Sequence, residues 1–276
     1  MGILPSRMST EATPSAPFAR RGPRRTLIAP SRGWASLRLG ELWHYRDLIG
    51  FLIWRDLKVR YRQTAFGVAW VLLQPLALMV VFSLFLGEFL KVNTGSTPYP
   101  VFVFSALVPW TLFSQSLTSS SSSLVANAGL LGKIYFPRLL LPISAVGSYL
   151  LDFLISSTLL IGLILVYGLT PSPAFLIVPI LALLVVLAAL GVGILLSAVN
   201  VRYRDVQSGV PLLVQLWLFA SPIAYPLSLV PSQYRDIYAL NPMVSLLQAF
   251  RWATIGDTPP TVAMVAVSLG ASVAVL

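Results

Sequence analysis

Residues 55–75 read RDLKVRYRQTAFGVAWVLLQP, a basic and aromatic segment that runs without interruption into an apolar one. Arg55, Lys58, Arg60 and Arg62 cannot enter hydrocarbon cheaply, whereas the run from Phe66 to Leu90 is long and apolar enough to cross it. The charged half must therefore rest at a membrane surface that tolerates positive charge, which is the cytoplasmic one. A chain built this way offers the cytoplasm a basic face on which another protein can dock.

Outward from this join, six apolar segments are expected to span, at about 66–90, 101–124, 139–167, 174–199, 210–229 and 261–276. Most exceed the roughly 20 residues a spanning helix needs, and the last is cut short by the end of the chain. The fold class is all-α, a polytopic membrane protein with six transmembrane helices. Composition agrees, since 57% of the 276 residues are hydrophobic and 10% are charged, against about 25% charged in soluble domains. The chain has no cysteine, so no disulfide framework or thiolate chemistry is available. Its single histidine, His44, precedes the first span, and no metal site is expected.

The net charge of +10 is topological and does not signal nucleic acid. With the N-terminus placed in the cytoplasm, sixteen of the nineteen Lys and Arg fall inside: twelve before Phe66, then Lys133, Arg138, Arg202 and Arg204. Only Lys91, Arg235 and Arg251 fall outside, which is the positive-inside pattern. Residues 1–38 are rich in Pro, Ala, Ser and Arg with one acid, and are expected to form a disordered basic tail ahead of a transmembrane domain at 39–276. At 41–62 the apolar residues Leu42, Tyr45, Ile49, Leu52 and Ile53 recur at helical steps, with Trp43 and Trp54 nearby. That pattern predicts an amphipathic helix in the headgroup region, either a plain anchor or a docking platform.

The spans themselves are almost uncharged. Their acids are Glu88, near an outer end, and Asp152, which has no basic partner in the spans. Proton- and sodium-coupled carriers mark their pathways with intramembrane ionisable groups, so Asp152 is expected to be structural. No G-x-x-x-x-G-K-[ST] phosphate loop is present, and energy for pumping would come from another chain. Catalysis is not expected: no histidine stands near a membrane serine, and Asp152 has no second carboxylate at depth. The run Ser119–Ser123 is read as close helix packing or a polar vestibule.

The inner loop NAGLLGKIYFPRLLLP at 127–142 predicts a short helix with Leu130, Leu131, Ile134 and Tyr135 as an apolar face, Lys133 and Arg138 polar, and Pro137 ending the turn. On the outer side, 228–260 is too apolar for a free loop and too interrupted for a span. Re-entrant or interfacial helices are expected there, with Asn241 as N-cap and Pro242 at the first helical position.

Arg55-Asp56-Leu57-Lys58-Val59-Arg60-Tyr61-Arg62, Phe66-Gly67, Trp70, Gln74-Pro75, Asn127, Lys133, Phe136-Pro137-Arg138, Arg202-Tyr203-Arg204-Asp205, Ser221-Pro222-Ile223, Tyr225-Pro226 and Asn241-Pro242 form an ordered set. In this set the chain resembles the permease subunits of ABC transporters that export polysaccharides across bacterial inner membranes, such as O-antigen, teichoic acid, capsule and galactan. The resemblance runs from about Glu41 to Trp252. It implies a homodimeric channel for a lipid-linked polysaccharide, with ATP and Mg bound by a separate ATP-binding subunit and no cofactor on this chain. It also implies that the ATPase is met by Arg55, Lys58, Arg60 and Arg62 together with Leu130, Leu131, Lys133, Ile134, Tyr135 and Arg138. The re-entrant segment would carry Tyr234, Asn241, Phe250 and Trp252 at the outer mouth. A sugar polymer needs aromatic faces more than fixed charge, which makes Trp70, Trp110, Phe113, Tyr149 and Trp217 candidate channel-lining residues. The alternatives are a permease for a lipid or small drug, and a passive channel without an ATPase.

Overall fold

The computed structural model describes residues 39–62, 69–133 and 135–261, with Ala266 and Gly270 beyond them. The expected basic tail (1–38), the first residues of the first apolar segment, Ile134 and nearly all of the sixth segment lie outside the described residues. Every regular element among the described residues is helical. Helices α1 (Leu39–His44) and α2 (Arg46–Arg62) come first, then α3 (Ala69–Phe82), which widens into a π-helical turn at Ser83–Phe89. Next are α4 (Tyr99–Ala126), α5 (Ala128–Leu131), α6 (Leu140–Gly147), α7 (Tyr149–Val166) and α8 (Val178–Arg202). Helices α9 (Asp205–Phe219), α10 (Arg235–Ala239) and α11 (Pro242–Ile255) complete the described part.

Among the described residues four stretches are long and apolar enough to cross a membrane: Ala69–Phe89, Tyr99–Ala126, Leu140–Val166 and Pro173–Arg202. The fifth expected segment behaves differently. Its helix starts earlier, at Asp205, and stops at Phe219, ten residues short of the expected end. Pro222 and Pro226 bias the residues before them away from helix, and the chain turns at Ser221–Pro222 instead of continuing.

Helix α4 is the axis of the bundle. Its 28 residues reach about 42 Å, and it packs against α3, α6, α7, α8, α9 and α11. Phe102, Phe104, Leu107, Phe113 and Leu117 are fully buried along it. Where α4 meets α8, close approach depends on small residues: a Cβ on Gly193 would lie 2.5 Å from Ser120 Oγ. Ser120, Ser121 and Ser123 are buried at this end of α4, and Asn200 Nδ2 of α8 donates to the Ser121 carbonyl at 3.0 Å. Helix α2 lies along α6, with Leu52 in a second apolar cluster that includes Phe136, Leu140 and Leu141. Gly147 admits this approach, because a Cβ there would fall 2.5 Å from Ile53 Cδ1. Trp43, Phe51 and Trp54 remain exposed on the opposite side of the same segment.

Gly193→Ala should lower stability by ~1–3 kcal/mol through overpacking at Ser120, read as a fall of several degrees in Tm of the detergent-solubilised chain. Adding Ser120→Gly should restore most of the loss. An unchanged Tm for the single variant would mean that α4 and α8 separate freely here.

Candidate functional site

Two clefts meet at Arg60. The first, about 230 Å³, lies between α3, α4 and α7 and is walled by Trp70, Gln74, Thr111, Gln115, Tyr149 and Asp152, with Arg60 at its edge. Gln115 Nε2 donates to Gln74 Oε1 at 3.3 Å, and Trp70 is largely exposed. This is an arrangement of aromatic faces and neutral hydrogen-bonding groups around one ion pair. The second, about 470 Å³, lies between α2, the C-terminal end of α4 and α6. It is walled by Arg55, Asp56, Arg60, Ser119, Ser122, Asn127 and Ser148, among others.

The ion pair corrects the expectation that Asp152 has no basic partner. Arg60 Nη1 donates to Asp152 Oδ2 at 2.9 Å, and Nη2 donates to Ser148 Oγ at 3.0 Å. The Arg60 guanidinium also sits over the Tyr149 ring, 3.8 Å from its centroid. The Tyr61 hydroxyl donates to Asp152 Oδ1. Burial first, and then the bond to Asp152, raise the Tyr61 hydroxyl well above the usual tyrosine range. The carboxylate thus has a donor on each oxygen, which is the condition for a charge to persist at low dielectric. Helix α2 is thereby tied to α7 across 92 residues of sequence.

The proposed ATPase contacts divide. Lys58, Arg62, Lys133, Tyr135 and Arg138 are exposed, Tyr135 at 73%. Arg55 is engaged internally, donating to Asp56 Oδ1 at 2.8 Å and to Asn127 Oδ1 at 3.0 Å. Arg60, expected at the ATPase contact, turns inward to Asp152 and Ser148 as described. Leu130 and Leu131 pack on the Leu52–Phe136–Leu140 cluster and do not form an outward apolar face. Ile134 lies outside the described residues.

The channel-lining aromatics divide too. Trp70 and Tyr149 wall the first cleft. Trp110 (2% exposed) and Phe113 (0%) are buried in the core of this bundle and line neither cleft. Trp217 is half-buried, packs edge to face on Phe113 at 5.0 Å, and donates from Nε1 to Asn241 Oδ1 at 2.8 Å.

Asn241 is the hub of the other end. It caps α11 by accepting from the Met243 N–H at 3.0 Å, and Nδ2 donates to the Ala220 carbonyl at 3.2 Å and to Ser221 Oγ at 3.0 Å. Phe250 is buried on α11, Trp252 is half-buried and Tyr234 is exposed. Arg251, read from the sequence only as an outer charge, is 3% exposed. It donates to the Phe102 carbonyl at 3.3 Å and the Ile223 carbonyl at 2.6 Å, with its guanidinium 3.7 Å from the Phe102 ring centroid. Its place in the apolar stripe of α11, one residue after Phe250, was the available signal.

The sequence profile of the ABC-2 type transporter family matches residues 47–255. The chain is 35% identical over 235 residues to the O-antigen export system permease protein RfbA of Myxococcus xanthus, covering 83% of this chain and 90% of that one. It is 32% identical over 206 residues to the protein of the same name from Klebsiella pneumoniae, covering 74% and 79%. The polysialic acid transport protein KpsM of Escherichia coli is 27% identical over 209 residues, covering 74% and 80%.

Asn241→Ala removes four hydrogen bonds, including the cap, and should destabilise by on the order of 2–3 kcal/mol. Trp217→Phe keeps the ring contact and loses one bond, so about 1 kcal/mol is expected. Thermal unfolding in detergent measures both, and equal effects would deny the hub role.

Proposed function

The chain belongs to the ABC-2 type transporter family, and from that premise we propose that it is the membrane-spanning subunit of an ATP-driven exporter of a lipid-linked polysaccharide in the bacterial inner membrane. The observation that carries the substrate class is the naming of its relatives for O-antigen export and polysialic acid transport, at up to 35% identity over most of both chains. The first cleft supports it. Trp70 and Tyr149 present ring faces and Gln74, Thr111 and Gln115 present neutral polar groups, a lining suited to hydroxyl-rich rings. A small hydrophobic drug would favour an apolar pocket with few polar groups.

In this reading the N-terminus is cytoplasmic, and a separate subunit binds ATP and magnesium and hydrolyses ATP. Two copies of this chain enclose the channel, because one bundle centred on a filled α4 holds no passage for a polymer. The ATPase contact is the exposed set Lys58, Arg62, Lys133, Tyr135 and Arg138. The mechanism follows from the placement of α2. Its outward cations meet the ATPase while its inward Arg60 and Tyr61 hold Asp152 of α7 at the cleft wall. A push on α2 therefore reaches the wall directly. The aromatic and amide groups of the first cleft hold successive sugars weakly enough to release them.

Export should require the ATPase and be indifferent to the proton gradient; transport by the reconstituted chain alone under a pH gradient would overturn this. Tyr135→Ala truncates a large exposed anchor and should weaken ATPase association by about 2 kcal/mol, roughly 30-fold, with insertion intact. Lys133→Ala alone should cost less, since a rim charge is screened. Single cysteines placed on the outward face of α3 in this cysteine-free chain should crosslink into dimers in native membranes.

A further inference from the structure

Arg60 lines both clefts and is the residue they share, so the wall between them includes its ion pair with Asp152. The second cleft carries two guanidinium groups, Arg55 paired with Asp56 and Arg60 paired with Asp152 on the side of the first cleft, and Arg60 can present its fork to the cleft only by leaving that partner. Around them stand Ser119, Ser122, Ser148 and Asn127. The Ser119 hydroxyl is half-buried and has no hydrogen-bond partner among the described residues. Such a lining fits an anion with several oxygens, because a planar guanidinium fork and hydroxyl donors match phosphate geometry. The cleft opens at the C-terminal end of α4, beside the basic helix α2, where the spans end. A lipid headgroup reaches that depth.

Resting on the reading of a lipid-linked substrate, we propose that the second cleft receives the phosphate or diphosphate headgroup of the carrier lipid, and that this phosphate draws the Arg60 guanidinium away from Asp152. Phosphate carries more charge and more acceptor oxygens than one carboxylate, so it competes well for the same fork. Asp152 is not stranded by the exchange, because Tyr61 still donates to its other oxygen. Arg60 is the common edge of the two clefts, so its departure joins them. The headgroup opens the wall for the sugars attached to it, and a chain without a bound headgroup stays closed.

The test uses the full chain in phosphatidylcholine nanodiscs with labelled polyprenyl diphosphate as probe. The wild-type chain should bind it, and neither polyprenol nor inorganic pyrophosphate should compete at equal concentration. Arg60→Gln should weaken binding at least tenfold. Asp152→Asn should tighten it several-fold, because Arg60 is no longer held, an effect a purely structural pair cannot give. If Arg60→Gln fails to fold, Arg60→Lys, which keeps the charge and loses the fork, should still weaken binding several-fold. The combined swap Arg60→Asp with Asp152→Arg should recover stability and not binding. Equal weakening by Asp152→Asn and Arg60→Gln would reduce the pair to a clamp and overturn the proposal. Competition by polyprenol would place recognition in the tail, and competition by inorganic pyrophosphate would assign the cleft to a soluble anion; either overturns the lipid-headgroup assignment. A chain that exports polysaccharide in cells yet binds the diphosphate no better than polyprenol overturns this inference alone and leaves the export reading standing.

Discussion

Hydrocarbon supplies no hydrogen bonds, so every polar group in a spanning segment must find its partner within protein. The rest of this structure is arranged around that constraint. The hydroxyls of Ser105, Ser121 and Ser123 on α4 return to carbonyls three residues earlier, at 2.7–2.8 Å. Asn200 crosses from α8 to a carbonyl of α4, and Asp152 has Arg60 and Tyr61. Ser116, Ser120 and Ser197 keep buried hydroxyls without a partner among the described residues. At Ser120 the property that matters is size, since Gly193 lies against it. Small residues let helices approach where no hydrophobic drive separates protein from lipid.

The same demand for partners explains how the chain can break after α9. After α9 the backbone turns at Ser221–Pro222 and leaves the Ala220 and Ile223 carbonyls without helical partners. Asn241 supplies the first donor and Arg251 the second, both from the α10–α11 segment that follows. A buried arginine is costly unless its donors are satisfied and its face is covered. Here two carbonyls and the Phe102 ring provide that. Break and repair fit one another: the turn frees the Ile223 carbonyl, and Arg251 donates to it. Tyr225 and Tyr238 add a second bridge, their hydroxyls 2.5 Å apart.

Much of the fold is written in local pattern, and much of the site is not. Four long apolar helices and the Asn241–Pro242 start follow from run length and capping chemistry within a few residues of sequence. The stop at Phe219 was less legible, because apolar content continues past it and the cause lies in later prolines and a distant asparagine. Burial inverted a soluble-protein intuition. Helix α4, rich in serine and the least apolar of the four spans, is the most enclosed, and the more apolar helices lie around it. Trp110 and Phe113 are accordingly core residues of the bundle. The Arg60–Asp152 pair spans 92 residues and leaves no local trace in Asp152. A trace does exist in α2: Lys58 and Arg62 share a face four residues apart, whereas Arg60 falls two residues from each, about 200° around the helix. Periodicity thus separates the inward cation from the outward ones, and a count of basic residues does not.

That separation of faces is what makes α2 more than an anchor. An amphipathic surface helix held only by lipid would slide when pushed, and little of the motion would reach the spans. Here it is held at two points. Leu52 is locked into the cluster with Phe136 and Leu140, which are joined to the exposed Tyr135 by the backbone of a single short loop. Arg60 and Tyr61 are fixed to α7. The outward cations of α2 and the loop around Tyr135 therefore move as one body. The end of that body is charged, so it detaches by exchanging one partner for another. An apolar contact at the same place would have to expose its surface to come apart. An ion pair at the wall between two clefts can thus open and close reversibly within the membrane boundary, and a wall of packed leucines could not do so at comparable cost.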